Sequence, residues 1–263
     1  MAILGLDRDD LRYIFNIWKM NLSDRYLGSA LGGAWAILNP LLMFALFTFV
    51  FGFVFKARLP GAESTLAYSI WLICGYGTWM ANTEALTSAS NSILSNAGLV
   101  KNMSFKTEAL PIASTLMGLI PLAVGIIFVF ILQAFNGDGF SIVLLWLPVI
   151  IAVQFTLLIA IGTLLAALTT FVRDFGVVPP NLLIIILFAT PIFYPIDAVP
   201  SMLAEFMIFN PAYVIALAYR SVLLEHQMPP IIPLLILGIV SLGLLNVTLR
   251  IFRRVKGFFP SVI

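Results

Sequence analysis

Long stretches of this chain carry no charged residue, and short polar interruptions separate them. The longest uncharged intervals are residues 26–55, 64–83, 109–137, 139–172, 175–196 and 227–249. A hydrocarbon layer about 30 Å thick is crossed by roughly 20 apolar helical residues, so each interval is long enough to span. The pattern predicts an all-α membrane protein with six transmembrane helices, at about 33–55, 64–84, 109–134, 144–171, 178–195 and 230–250. A seventh uncharged interval, 206–219, lies between Glu205 and Arg220 and is shorter than the others. It suits a re-entrant or interfacial piece better than a span.

The interruptions have patterns of their own. In residues 11–25, Leu11, Ile14, Phe15, Trp18 and Leu22 recur at helical spacing, with Arg12, Asn16, Lys19 and Ser23 opposite them. That predicts an N-terminal amphipathic interface helix. Its polar side mixes these bases with Asp7, Asp9, Asp10 and Asp24, so lipid and a cytoplasmic protein partner both remain open. In "SASNSILSNAGLVKNMSFKTEALP", apolar residues alternate with Ser, Asn and Lys. The loop at about 86–107 is therefore either a fraying helix end or a short cytoplasmic helix that docks on something. A smaller turn, "FVRDFGVVPPN", sets Arg173 beside Asp174 and places a proline pair where a helix can start. Residues 196–226 lie among Pro191, Pro195, Pro200, Pro211, Pro229 and Pro230, which predicts two short re-entrant helices at about 198–208 and 212–224.

Composition agrees with a membrane location: 61% of residues are hydrophobic and 10% charged, against about 45–50% and 25% in ordinary soluble domains. Basic residues in short loops accumulate on the cytoplasmic side, and this decides the topology. With both termini cytoplasmic, that side holds Arg8, Arg12, Lys19, Arg25, Lys101, Lys106, Arg173, Arg250, Arg253, Arg254 and Lys256. The outer side keeps only Lys56, Arg58 and Arg220. A net charge of +2 then follows from topology and implies no nucleic-acid partner. No soluble domain is left over, so residues 1–263 read as one transmembrane domain. The opening "MAILGLDRDD" has no basic region ahead of an apolar one, and the first span is expected to act as the targeting signal.

Candidate chemistry is sparse. Glu84, Glu108, Asp138, Arg173 and Asp174 all fall at predicted span ends, which argues against ion-coupled transport and intramembrane catalysis. The single histidine, His226, reads as a solvated loop residue, and the single cysteine, Cys74, as a buried small hydrophobe. No metal cluster and no catalytic residue is expected. No Gly-Lys-Ser or Gly-Lys-Thr occurs, so any ATP is bound by another chain. On the first span Pro40, Phe44, Phe47, Phe51 and Phe55 form an aromatic stripe. It either packs against helices and lipid or lines a pore in which rings stack on sugar C–H faces. Phe193 and Tyr194, in "TPIFYP", join Phe44, Phe47 and Phe51 as candidate channel residues. Gly28, Gly32 and Ala36 are spaced like a small-residue helix-packing ridge, so leucine at Gly28 or Gly32 is expected to impair assembly.

The run Arg25-Tyr26-Leu27-Gly28-Ser29-Ala30-Leu31-Gly32, followed by Trp35, Asn39, Pro40 and Leu41, resembles the start of the first span in ABC-2 type permeases. These permeases export polysaccharides and teichoic acids. The resemblance extends to length, span number, the loop after span two and the proline-rich outer segment. Leu27 stands where members commonly have Arg or Lys. What the resemblance implies is a homodimer with a channel on its two-fold axis, driven by two copies of a cytoplasmic ATPase that binds ATP and Mg. A coupling helix would lie within about 90–105, with Ile93, Leu94, Leu99, Lys101, Phe105, Arg173 and Asp174 as ATPase-contact candidates. The implied cargo is a polyprenyl-diphosphate-linked polysaccharide leaving through the bacterial inner membrane. Lipopolysaccharide O-antigen exporters look nearest, with teichoic acid and capsule exporters as neighbours. The rival readings are a membrane enzyme acting on polyprenyl-linked sugars through Glu84, Glu108 or Asp138, and a secondary transporter.

Overall fold

The computed structural model describes residues 7–26, 28–57, 65–102, 106–136, 139 and 141–263. Arg58, Leu27, Phe105 and Asp138, which entered the expectations above, lie outside these residues. The described chain is helical, with no strand among its residues. In order it forms α1 (Arg8–Tyr26), α2 (Trp35–Phe47), α3 (Thr65–Ser90), α4 (Ser92–Ser95) and α5 (Ala97–Asn102). These are followed by α6 (Ala109–Thr115), α7 (Leu119–Asn136), α8 (Leu147–Phe171) and α9 (Val178–Ala189). The C-terminal part contains α10 (Ser201–Ala204), α11 (Pro211–Leu223), α12 (Ile231–Val255) and α13 (Phe259–Val262).

Among the described residues, four helical stretches are long and apolar enough to cross a membrane: Gly32–Val54, Ala109–Phe135, Ile142–Phe171 and Ile231–Val262. A fifth would be the bent pair Ser201–Phe209 and Pro211–Leu223, which meet at 88°. The expected six separate spans are therefore not reproduced by length and apolarity alone. α3 has 26 residues, but Ser, Thr, Tyr, Trp and Asn dilute its apolar character. α9 has only 12 residues, because the chain breaks at Thr190 and turns through "TPIFYP". A charge-free run measures apolarity, whereas prolines decide where the helix stops.

α3 sits at the centre, packed by α6, α7, α8, α9 and α11. Close approach is achieved at glycines. A side chain at Gly77 would meet the Gly125 backbone at 3.4 Å, joining α3 to α7. One at Gly162 would come within 2.7 Å of the Ala89 Cβ, joining α8 to α3. One at Gly118 would strike the carbonyl of Ala81. Small residues let backbones approach where polar and dispersion contacts replace any hydrophobic drive between helices.

The small-residue ridge expected at Gly28, Gly32 and Ala36 does not form. Gly28 and Gly32 have φ of +81° and +50°, and neither has another group within 4 Å of a built Cβ. Both serve the turn between α1 and α2, where left-handed backbone favours glycine. Ser29 lies in the same turn, and Tyr26 closes α1. The α1 helix is present, but its buried side differs from the expected one. Ile14 and Ile17 are buried against the α6 region, whereas Leu11 and Phe15 are exposed. Trp18 Nε1 donates to the Leu116 carbonyl at 3.2 Å, and Asn21 Nδ2 to Ser114 Oγ at 3.3 Å. Cys74 is buried as expected.

Candidate functional site

Between α2, α3 and α9 lies a cleft of about 270 Å³. α2 contributes Trp35, Asn39 and Pro40, α3 contributes Tyr76, Trp79, Thr83 and Glu84, and α9 contributes Leu183 and Leu187. Pro40, inside α2, leaves the Ala36 carbonyl without its helical N–H partner, and both residues line this wall. Arg25, at the end of α1, forms an ion pair with Glu84 at the rim. Ser88 Oγ also donates to Glu84 Oε1, at 2.7 Å. The cleft is thus aromatic and aliphatic along its walls and charged at its mouth.

One end of the cleft meets an aromatic stack. The Phe47 ring lies 4.6 Å from that of Tyr76 and 4.8 Å from that of Phe193. Phe51 stacks on Phe193 at 4.8 Å with an interplanar angle of 7°. Such offset pairs add stabilisation beyond their buried area. Here they close the seam between α2 and the chain following α9. Tyr194 is part of the same turn, its hydroxyl donating to the Phe188 carbonyl at 2.9 Å.

Among the expected channel residues, the structure thus brings Phe47, Phe51 and Phe193 together but gives Phe44 another task. Phe44 is 1% exposed, wedged at the Gly77–Gly125 crossing and stacked on Phe128 at 6.2 Å. It packs helices and lines no open surface. Tyr76, Trp79 and Trp35 line the cleft and are not among the expected channel residues. Their signal was a Tyr–Trp pair three residues apart on one helix, preceded by the Trp of the opening motif.

A second cluster gathers at the end of α3. α4 and α5 follow it directly, so residues 92–102 of the expected loop form two short helices. Ile93 is fully buried against α6 and α8 residues, which makes it an anchor and not an external contact as expected. Leu94 and Leu99 are half-buried, and Lys101 is exposed. The turn at Arg173–Gly176 abuts this loop, since a side chain at Gly176 would meet Asn91 Oδ1 at 2.6 Å. Arg173 and Asp174 are exposed there.

Ion pairs tie this region to both chain termini. Lys106 Nζ lies 2.6 Å from Asp10 Oδ2, and this hydrogen-bonded ammonium holds the Asp10 carboxyl below its ordinary range. Glu108, 4% exposed at its side chain, accepts from Arg253 Nε at 3.1 Å and Lys256 Nζ at 3.0 Å. Burial pushes the Glu108 carboxyl up, but its own backbone N–H, Lys256 and Arg253 together outweigh burial and lower it. Stabilisation from a lowered carboxyl is present above its ordinary value of 4.5 and is lost as pH falls through the folded value. Glu108→Gln is expected to cost about 1–3 kcal/mol at neutral pH. Thermal unfolding in detergent should show the parent losing stability on acidification below 4.5 and the variant lacking that limb.

Glu84 and Glu108 are thus engaged with cations at separate places, which does not assemble the carboxylate pair a membrane enzyme needs. Among the described residues no group of three or more His, Cys, Asp or Glu could hold a metal ion.

The family model described as ABC-2 type transporter matches residues 12–224. The chain is 25% identical over 252 residues to the O-antigen export system permease protein RfbA of Myxococcus xanthus, covering 95% of each chain. Two Klebsiella pneumoniae proteins of the same name are 26% identical, each match covering 97% of both chains. The matched span takes in the opening motif, the cleft, the aromatic stack and the α4–α5 loop. This chain belongs to the ABC-2 type transporter family.

Proposed function

We propose that this chain is the membrane-spanning permease subunit of an ATP-driven exporter that moves a polyprenyl-diphosphate-linked polysaccharide, O-antigen in class, across the bacterial inner membrane. The observation that carries this reading is similarity over nearly the whole chain to permeases named for O-antigen export. In this account the chain is a single transmembrane domain that crosses the bilayer six times with both termini cytoplasmic. α3 supplies a less apolar span, shielded by its neighbours, and α9 is completed by the turn at 190–195. α1 lies at the cytoplasmic interface, and residues 196–226 dip into the outer leaflet. Supporting this, α3 is the most enclosed long helix, and the basic residues Arg250, Arg253, Arg254 and Lys256 gather at one end of the last helical stretch.

Two copies of the chain form the channel, and two copies of a separate ATPase bind ATP and Mg and drive it. The outward faces of the Gly32–Val54 stretch and of α9 fit a dimer seam: Ile37, Leu42, Leu46 and Phe49 on one, Ile184, Ile185 and Phe188 on the other, all exposed in the single chain. The cleft walls are amphipathic rings suited to a polymer of sugars, since an aromatic face binds C–H faces without demanding a fixed hydrogen-bond pattern. The α4–α5 segment with Arg173 and Asp174 offers the ATPase a compact cytoplasmic surface. No acid, base or metal site is needed in this chain, because the chemical step is ATP hydrolysis on the partner.

Leu94→Asp tests the coupling. The membrane complex is expected to lose at least about tenfold in ATPase association when a carboxylate is buried at that contact. The readout is co-purification and permease-stimulated ATP hydrolysis. Full stimulation with Leu94→Asp would place the docking surface elsewhere, and an active transporter without any ATPase would defeat the reading as a whole.

A further inference from the structure

Arg220 is a cation that the charge pattern assigns to the outer side, yet on α11 it is 3% exposed. Its Nη1 donates to the Pro191 carbonyl at 3.0 Å and its Nη2 to the Ile192 carbonyl at 2.9 Å. The guanidinium carbon lies 3.5 Å from the centre of the Trp71 ring. Arg220 therefore meets carbonyl oxygens and a π face where a carboxylate would ordinarily be found. Burying a charge is expensive, so a chain that keeps one there obtains something in return.

The cradle is built by one face of α3. Tyr68, Trp71 and Gly75 are spaced i, i+3 and i+7, which places them on one side of the helix. A Cβ at Gly75 would collide with Arg220 Nη2, so only glycine leaves the guanidinium its place. Trp71 covers the charge, and the Tyr68 hydroxyl donates to the Phe193 carbonyl at 2.8 Å. Three consecutive carbonyls, those of residues 191, 192 and 193, are thus held by side chains where α9 has ended. At a helix end these groups have lost their partners, and a hydrocarbon environment offers no water to replace them. A planar two-pronged donor suits adjacent carbonyls in a way that a lysine ammonium does not.

The residue fixed by this arrangement is Phe193. Its ring is 2% exposed and packs against both Phe47 and Phe51, 4.8 Å from each. We propose that Arg220 is a positioning residue for a gate: with Tyr68 and Trp71 it pins the Pro191–Phe193 backbone so that the Phe193 ring seals the outer end of the α2–α9 seam. This rests on the reading of the chain as a channel-forming permease, and it adds the device that keeps the resting channel closed.

The test is ionic conductance of the full-length chain in planar bilayers bathed in potassium chloride, without ATP. The parent should be sealed. Phe193→Ala should conduct, and Arg220→Lys and Tyr68→Phe should show the same unit conductance with open probability raised roughly tenfold, the equivalent of one lost charge-assisted hydrogen bond. Cys74, the single cysteine, is 4% exposed next to the cradle, and maleimide labelling reports whether the core has loosened. Conductance with Cys74 still protected supports the gate. Conductance with Cys74 labelled would assign Arg220 to core stability and overturn it. A sealed Arg220→Lys beside a conducting Phe193→Ala would remove Arg220 from the gate, and a sealed Phe193→Ala would remove the gate itself. If Arg220→Lys yields no folded protein, Tyr68→Phe decides, since it deletes one hydroxyl and keeps the charge. ATP-driven glycan export by the same parent preparation separates the readings: export with sealed variants overturns the gate alone.

Discussion

Gly118→Val is expected to abolish recovery of folded protein from membranes. The glycine lies just ahead of α7, where the chain crosses α3 so closely that an added Cβ would strike the Ala81 carbonyl and stand 3.0 Å from the Ala85 Cβ. Both neighbours belong to the innermost helix, whose backbone cannot retreat without unpacking α6, α7 and α8. Overpacking of this kind costs about 1–3 kcal/mol when side chains can adjust, and more when the obstacle is backbone. A backbone obstacle puts the cost above that range of about 1–3 kcal/mol, so that it approaches the whole of a stability of about 5–15 kcal/mol. Size-exclusion chromatography of a fluorescent fusion reads the outcome. Gly243→Ala is the matched control, because nothing lies within 4 Å of a Cβ there. Equal monodisperse yield for Gly118→Val and the parent would show that the crossing is looser than described.

Ala36→Trp is expected to reduce glycan export to background while leaving the protein folded and bound to its ATPase. Ala36 lines the cleft beside Trp35 and Pro40, on a helix face that is only half-covered. An indole there would fill much of a space of about 270 Å³ without entering the packed core. Loss of export with retained ATPase association separates an obstructed path from a broken assembly. Inverted membrane vesicles provide the measurement, since exported glycan accumulates in their lumen. Undiminished accumulation would move the path away from this cleft.

Much of the helical layout is legible in the sequence, because uninterrupted apolarity is the physical requirement of a long buried or lipid-facing helix. The stretches Gly32–Val54, Ala109–Phe135 and Ile142–Phe171 fall within a few residues of the intervals expected from charge alone. The last stretch runs on to Val262, because Arg253 and Lys256 reach Glu108 and keep the basic tail helical and packed. α9 is shorter than its apolar run because Pro191 and Pro195 end helices irrespective of hydropathy. The pair of short helices before the last span was legible for the same reason.

The site was less legible. A stripe spaced along one helix predicts a face but not what that face meets. Phe44 turned inward because Gly77 and Gly125 leave a space for its ring, and those glycines lie far away in sequence. Gly28 and Gly32 have the spacing of a helical ridge, yet positive φ takes them out of any helix, and spacing carries no φ. Arg220 reads only as an outer-side charge because its partners are backbone carbonyls, which no side-chain pattern marks. Ile93 reads as surface beside Ser, Asn and Lys until the packing of α4 against α6 and α8 places it inside.

The most direct measurement is accumulation of lipid-linked polysaccharide in inverted inner-membrane vesicles containing this chain and its partner ATPase. Accumulation that requires both proteins and hydrolysable ATP, and that stops when either is omitted, is the predicted result. Accumulation driven by an ion gradient without ATP, or no dependence on this chain, would contradict its assignment as the permease of a polysaccharide exporter.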